Sequence, residues 1–201
     1  MEQAASATND HEVSHLLGSR DYVRAIDALA VAPVHPSHVS YKVRFHQLGR
    51  VPVHWIPQND NASKDAVLAD LSLTGPGGTD AWVLVPNPSK STFERRPDPG
   101  FEITATPTVS DGKDFRIMLE AGMPFWEQLV PAVKIWGRDQ YPDYDWSVAG
   151  ASGAVSCFQT ITAPGELHFA LVRSRLGLFS IAVDFADRIS GKLIVASFLR
   201  E

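Results

Sequence analysis

Between residues 166 and 200 apolar and polar positions alternate strongly. Leu167, Phe169 and Leu171 alternate with His168, Ala170 and Val172. After Ser174-Arg175-Leu176-Gly177 the pattern resumes in Phe179, Ile181, Val183 and Phe185, set against Ser180, Ala182 and Asp184. Side chains on a strand point to opposite faces with period two, so each run offers one apolar face and one mixed face. A turn at Asp187-Arg188-Ile189-Ser190-Gly191 leads into a third run, 192–198. Three strands joined this closely predict an antiparallel meander, with Phe169, Leu171, Ile181, Val183 and Phe185 buried. Its apolar face needs a second layer to cover it.

Upstream, a polar leader (1–9) precedes a predicted helix over residues 10–31. Val13, Leu16 and Leu17 share one face, and Tyr22, Ile26 and Leu29 another, with Gly18-Ser19 as a break. Ala32-Pro33-Val34-His35-Pro36 ends it, because proline lacks the donor and restricts the residue before it. From Val39 the period changes to two: Val39, Tyr41, Val43 and Phe45 form a strand, and 51–56 its partner, stopped by Pro57. This places a boundary near residue 36, between an N-terminal arm (1–36) and a β-rich body (37–201). A short amphipathic helix is expected over 62–71, a turn at Gly75-Pro76-Gly77-Gly78, and a buried strand over 81–85. Residues 87–100 read as a proline-rich surface loop. Runs 101–109 and 115–119 flank the hairpin turn Ser110-Asp111-Gly112-Lys113. Residues 125–136 read as a helix bent or split at Pro131, 137–146 as a loop, and 154–161 as a strand. No internal repeat is visible. The sum is a mainly β fold: an antiparallel β-sandwich of jelly-roll type, with an N-terminal helical arm and one or two short helices in loops.

Composition narrows the function. The 201 residues suit one large domain, or one domain with an arm, with 44% hydrophobic and 20% charged residues, an ordinary globular balance. A formal charge of −5 argues against a general nucleic-acid binder and against docking on anionic membranes. The one cysteine, Cys157, permits no internal disulfide. No apolar run approaches the ~20 residues of a membrane-spanning helix, and the polar, acidic start is unlike a signal peptide. The expected location is a virion or the cytoplasm, with no membrane partner and no secretion through a signal peptide.

The sharpest chemical signal is His11-Glu12-Val13-Ser14-His15, followed by Gly18 and Asp21. It fits HExxHxxGxxD, which resembles the zinc signature of metzincin-like proteases. On a helix His11 and His15 would lie one turn apart, Glu12 could activate a zinc-bound water, and Asp21 could be a third ligand. Ten residues ahead of His11 leave no room for a substrate-binding sheet, and Met118 and Met123 are not placed for a Met-turn. This metal set, His11, Glu12, His15 and Asp21, is therefore a secondary alternative, and no metal, cofactor or catalytic residue is assigned. His35 and His38 sit beside prolines. Lys42, Arg44 and His46 share a strand face that solvation explains. Arg95 and Arg96 could meet phosphate, and Asp139, Asp143 and Asp145 a hard cation. Cys157 reads as a small core or interface residue.

Val53-His54-Trp55-Ile56-Pro57, the polar run 58–64, the short helix 65–71 and Gly77-Gly78 together resemble a segment of coat proteins from small icosahedral RNA viruses. Arg188-Ile189-Ser190-Gly191-Lys192-Leu193-Ile194-Val195 is similar to the closing strand pair of tymovirus-like coats. The resemblance implies a self-assembling structural protein: a homo-oligomeric capsid shell, with RNA packed without a strongly basic arm. The alternative is a β-barrel enzyme or binding protein for a small apolar molecule, its pocket lined by residues such as Trp82, Phe101 and Trp126.

Overall fold

In the computed structural model, residues 11–17, 22–47, 49–58, 63–96, 109–110, 114–186 and 189–199 are described. Glu12–Val13 (β1) and His15–Leu17 (β2) lead to the helix Ala25–Ala30 (α1). Ser40–Phe45 (β3), Val53–Pro57 (β4), Ala69–Gly75 (β5), Gly78–Pro86 (β6) and Glu94–Arg96 (β7) follow. Val109–Ser110 (β8) and Asp114–Leu119 (β9) then lead to the longer helix Phe125–Gln140 (α2). Tyr144–Ala154 (β10), Gly165–Arg175 (β11), Leu178–Phe185 (β12) and Ile189–Leu199 (β13) complete the chain.

Eleven strands form one sheet in the order β1-β4-β6-β5-β3-β10-β13-β12-β11-β9-β8, and β2 and β7 make a separate parallel pair. The order exposes an internal duplication. In each half a first strand lies outward, a helix follows, and the next strand reaches the middle of the sheet. The two middle strands, β3 and β10, pair antiparallel over Ser40–Arg44 and Gly150–Ala154 and join the halves. Ranked by chain order, and with the two-residue edge strand β8 set aside, the second half runs 1-3-4-5-2 across the sheet and the first runs 1-3-5-4-2. The duplication is one of backbone arrangement, which explains why no sequence repeat betrays it.

The expected jelly-roll sandwich is corrected here. All the described strands except β2 and β7 belong to one continuous sheet rather than two facing ones, and helices cover its apolar side. The meander is as its alternation requires: β11–β12 and β12–β13 pair antiparallel, and Phe169, Ile181, Val183 and Phe185 are buried while Leu171 is half-buried. The helix expected over 10–31 shrinks to α1, because residues 12–13 and 15–17 are recruited as strands. The described part of the expected arm is woven into the body: β1 pairs with β4, and Leu16, Val23, Ile26 and Leu29 join the main core. The helix expected over 62–71 is a single 3-10 turn, Lys64–Ala66, before β5. Within 137–146, expected as a loop, α2 continues to Gln140 and β10 begins at Tyr144. Residues 154–161, expected as a strand, hold the 3-10 turn Val155–Phe158.

The core forms where α2 lies on the second half of the sheet. Phe125, Leu129, Ala132, Val133 and Trp136 recur at helical spacing and are all buried. Each large member contributes about 1.5–3 kcal/mol by leaving water. Pro131 sits inside α2 without ending it. Gln128, almost fully buried, pins the helix to the end of β9. Its Oε1 accepts from the Glu120 N–H at 2.7 Å, and its Nε2 donates to the Glu120 carbonyl at 2.8 Å. At the far end Trp136, Tyr141, Trp146 and Phe179 pack as an aromatic cluster, with Trp146 and Phe179 centroids 4.8 Å apart. Gly137 makes room for it, since a Cβ there would collide with the Trp146 indole. In the first half, α1 is tied down by the Trp55 indole N–H, which donates to the Ala28 carbonyl at 2.8 Å.

Candidate functional site

Each helix enters the fold in the same way. Val23, ahead of α1, bridges to Gly49 beyond β3, and Pro124, ahead of α2, bridges to Thr160 beyond β10. A hollow lies beside each junction. The one next to Val23 and Gly49 holds about 190 Å³, walled by Ala28, Phe45 and Val148 with Arg24, His46 and Ser147. Its counterpart next to Pro124 is a groove of about 510 Å³ between α1 and α2. Size singles out the groove, since a ligand site must have room to bury most of its ligand.

Ile26, Leu29, Ala32 and Val34 supply the groove wall from the first half, and Trp126, Val155 and Phe158 the wall from the second. Its polar members are His35, Glu127 and Gln159, all exposed. The loop carrying His35 is held from beneath. The His35 N–H donates to Nδ1 of the buried His38 at 2.9 Å, and His38 Nε2 lies 2.9 Å from Asp80 Oδ2 on β6. With Nδ1 accepting, Nε2 carries the neutral ring's proton and donates to Asp80. The Ser37 N–H donates to His35 Nδ1 at 3.2 Å, which leaves the His35 proton on Nε2 as well. Glu127 is placed by the first turn of α2, beside Trp126 in the groove wall. The groove can therefore hold an apolar chain, with one imidazole N–H and one carboxylate at its edge able to donate or take a proton.

Behind the groove Cys157 and Tyr41 share a side-chain hydrogen bond, and the Tyr41 and Phe158 rings meet edge-on with centroids 4.9 Å apart. Burial pushes the Cys157 thiol up to about 11 and the Tyr41 phenol above its usual range. Both side chains are buried, in keeping with the reading of Cys157 as a small core residue.

The histidine motif is not brought together as a ligand set. His11 to Leu17 runs as two short strands rather than a helix, so the one-turn spacing that the zinc alternative needs is absent. His11 Nδ1 lies 3.1 Å from the Val31 carbonyl, and Glu12 takes the Lys90 ammonium at 2.6 Å. Opposite Glu12 stands His54, whose imidazole is pushed toward neutrality by burial, with Glu12 opposing. Asp21 lies outside the described residues, and among those described no group of three or more His, Cys, Asp or Glu is placed to hold a metal. Lys42 and Arg44 lie exposed on β3, and His46 meets Asp70 at 2.7 Å. Arg95 and Arg96 sit on β7 beside β2, Arg96 with Glu94 at 3.1 Å. Asp139 accepts from the Gln140 amide, while Asp143 is exposed and Asp145 half-buried. Of the expected pocket residues, Trp126 lines the groove, Trp82 packs edge-on against His11, and Phe101 lies outside the described residues. Glu127 and Gln159 were missed. Glu127 had a signal, an acidic residue on the first turn of a legible helix; Gln159 had none, being read as part of a strand.

No protein-family model matches the chain, and no curated protein does. Solved structures do resemble it. The tesB protein of Mycobacterium avium subsp. paratuberculosis superposes with a TM-score of 0.50 at 9% identity, over 93% of this chain and 92% of its own. A conserved protein of Alicyclobacillus acidocaldarius with a hot dog fold gives 0.47 at 10%, over 89% and 88%. The acyl-CoA thioesterase II TesB2 of Mycobacterium marinum gives 0.45 at 7%, over 88% of each chain. The backbone likeness to the tesB protein, together with the single helix-backed sheet, overturns the coat-protein resemblance and the capsid function drawn from it.

Proposed function

We propose that the chain is a tandem hot-dog protein that binds an acyl chain in the groove between α1 and α2 and hydrolyses the thioester carrying it. The observation that carries the reading is the groove itself: about 510 Å³, apolar along its walls, with His35, Glu127 and Gln159 as its polar members. The backbone likeness to the tesB protein supports the fold, and the substrate class follows from the lining. In this reading the acyl chain lies along Leu29, Val34 and Phe158. Glu127 takes a proton from a water that attacks the carbonyl carbon. The C–S bond breaks, and the thiolate or carbonyl oxygen meets the His35 Nε2–H. His38 and Asp80 act as positioning residues, through the backbone of His35.

Thiol release from a series of acyl-CoA thioesters, read with a chromogenic disulfide, tests this. Activity is expected to rise with chain length until the groove is full. Glu127→Gln should lower kcat about a hundredfold, with the KM little changed. Ala32→Trp should fill the groove and abolish turnover of long chains. Hydrolysis indifferent to both substitutions would place the chemistry elsewhere.

A further inference from the structure

One indole stands between the groove and the core. Trp126, on the first turn of α2, forms part of the groove wall and also borders a void of about 10 Å³ behind it. Among the described residues it is the one that borders both spaces. Around the void lie Tyr41, Leu129, Cys157, Val183 and Leu193, all buried. A void of about 10 Å³ is close to the least that holds a single water, so no part of an acyl chain enters it while the indole keeps its place.

Ring contacts, not a polar bond, hold the indole there. The Tyr41 and Phe158 rings meet it with centroids 6.1 and 6.2 Å away, and Trp126 is 4% exposed. Its Nε1–H is buried and meets no acceptor among the described residues. Buried donors are nearly always bonded, because one without a partner has lost its water and gained nothing in return. The partition therefore carries a standing penalty that a displaced or replaced indole sheds. Two residues along α2 the case is reversed. Gln128 bonds both ends of its amide to Glu120, so the helix stays fixed whatever the indole does. His35 and Glu127 sit at the exposed edge of the groove, whereas Trp126 is buried in its wall. A chain laid inward from that edge ends against the indole.

We propose that Trp126 is the stop that sets how long an acyl chain the groove accepts, and that the space toward Cys157 is where a longer chain goes once the stop is cut back. The inference rests on the groove being the acyl site and adds the residue that measures the chain. Trp126 touches the far end of the chain and not the reacting atoms, so its role is in specificity. The substrate class is then a straight acyl chain of limited length.

Calorimetric titration of the full chain with neutral, unreactive probes tests it. The probes are n-alkyl thioethers of N-acetylcysteamine, from hexyl to tetradecyl, which have no carbonyl to hydrolyse. In the wild type, affinity should rise with each added methylene and level off where the chain meets Trp126. Trp126→Leu should move that plateau to longer chains, two further buried methylenes being worth about tenfold in affinity. Trp126→Phe, a smaller change that keeps a ring and the fold, should move it less and in the same direction. Adding Cys157→Met to Trp126→Leu should fill the space behind and take the gain back. Val34→Ala, which widens the groove away from the void, should leave the plateau in place. A plateau unmoved in both Trp126 variants, or a gain that survives Cys157→Met, would overturn the proposal. A wild type that binds no probe would overturn the acyl reading with it. Binding with the expected shifts, but no thioester hydrolysis, would uphold the stop and sink the reaction alone.

Discussion

The two halves of this molecule share a plan and differ in how firmly local sequence specifies it. In the second half the strands β10, β11 and β13 each span 11 residues, and the helix they accompany spans 16. In the first half the helix has 6 residues and β4 has 5. The meander β11–β12–β13 pairs strands that are neighbours in sequence, so its contacts close over short loops. The first half instead carries the chain from β4 across to β5, beside β3, before β6 returns to pair with β4. Its order depends on contacts made over greater separation, which cost more loop-closure entropy before they stabilise anything. The lesson is that one architecture can be held mainly by local pattern in one copy and mainly by tertiary context in the other.

The largest expected effect breaks the strongly specified half. Ile181 is fully buried between β11 and β13. Ile181→Asp puts an unpaired carboxylate into that layer and should cost at least ~4 kcal/mol, enough to unfold the domain at room temperature. Urea titration followed by tryptophan fluorescence reads it; a folded variant with an unchanged midpoint would show that the layer is less closed than its burial indicates. Gly137→Ala should come next, at about 1–3 kcal/mol, since its Cβ must displace Trp146 from the aromatic cluster. The counterpart in the first half is Trp55→Phe, which removes the donor to Ala28 and should cost about 1–2 kcal/mol. If Trp55→Phe proved the costlier, α1 would be the more important anchor and the comparison would invert.

The same contrast explains what was legible in the sequence. Strict alternation from Leu167 to Phe185 could only be a half-buried strand pair, and Phe125–Trp136 only a helix, because both patterns run long enough to exclude the other period. The N-terminal stretch failed for the opposite reason. Val13, Leu16 and Leu17 fit one helical face and Tyr22, Ile26 and Leu29 another, yet β4 offers an unpaired edge that captures residues 12–13, and backbone pairing overrides propensity over so short a run. Joining eleven strands into one sheet was equally invisible, since a periodicity of two says which face is apolar and nothing about what covers it. The site suffered most. Its groove forms where α1 meets α2, a contact between residues about a hundred positions apart, and no spacing rule reaches that far.

Alkaline titration sharpens the account of what lies behind the groove. Cys157 rises from an ordinary 9.0 to about 11 in the folded chain. Between those values the unfolded thiol loses its proton while the folded one keeps it. The native state then binds more protons, and stability falls as pH rises. Tyr41, shifted in the same direction from 10.0, extends the loss upward. The unfolding free energy should therefore be flat from pH 7 to about 8.5 and decline above pH 9. Cys157→Ser should shift the onset of that decline to higher pH. A decline unaltered by that substitution would assign the alkaline loss to other groups.

The smallest effect is expected at the hairpin between β11 and β12, and it has the opposite sign. Leu176 has φ +49° and is 91% exposed, and Gly177 after it has φ +75°. Two left-handed residues in a two-residue connection make the tight turn that suits the twist of paired strands, and that turn favours Asn or Gly at its first position. A leucine there carries a steric cost of about 1 kcal/mol and recovers nothing by burial, since almost all of its surface stays in water. Leu176→Asn should thus stabilise the chain by about 0.5–1 kcal/mol without touching the groove. The measurement to make is the urea midpoint. A higher midpoint would assign the cost of Leu176 to its left-handed backbone, whereas an unchanged or lower one would show that the leucine is carried there without strain.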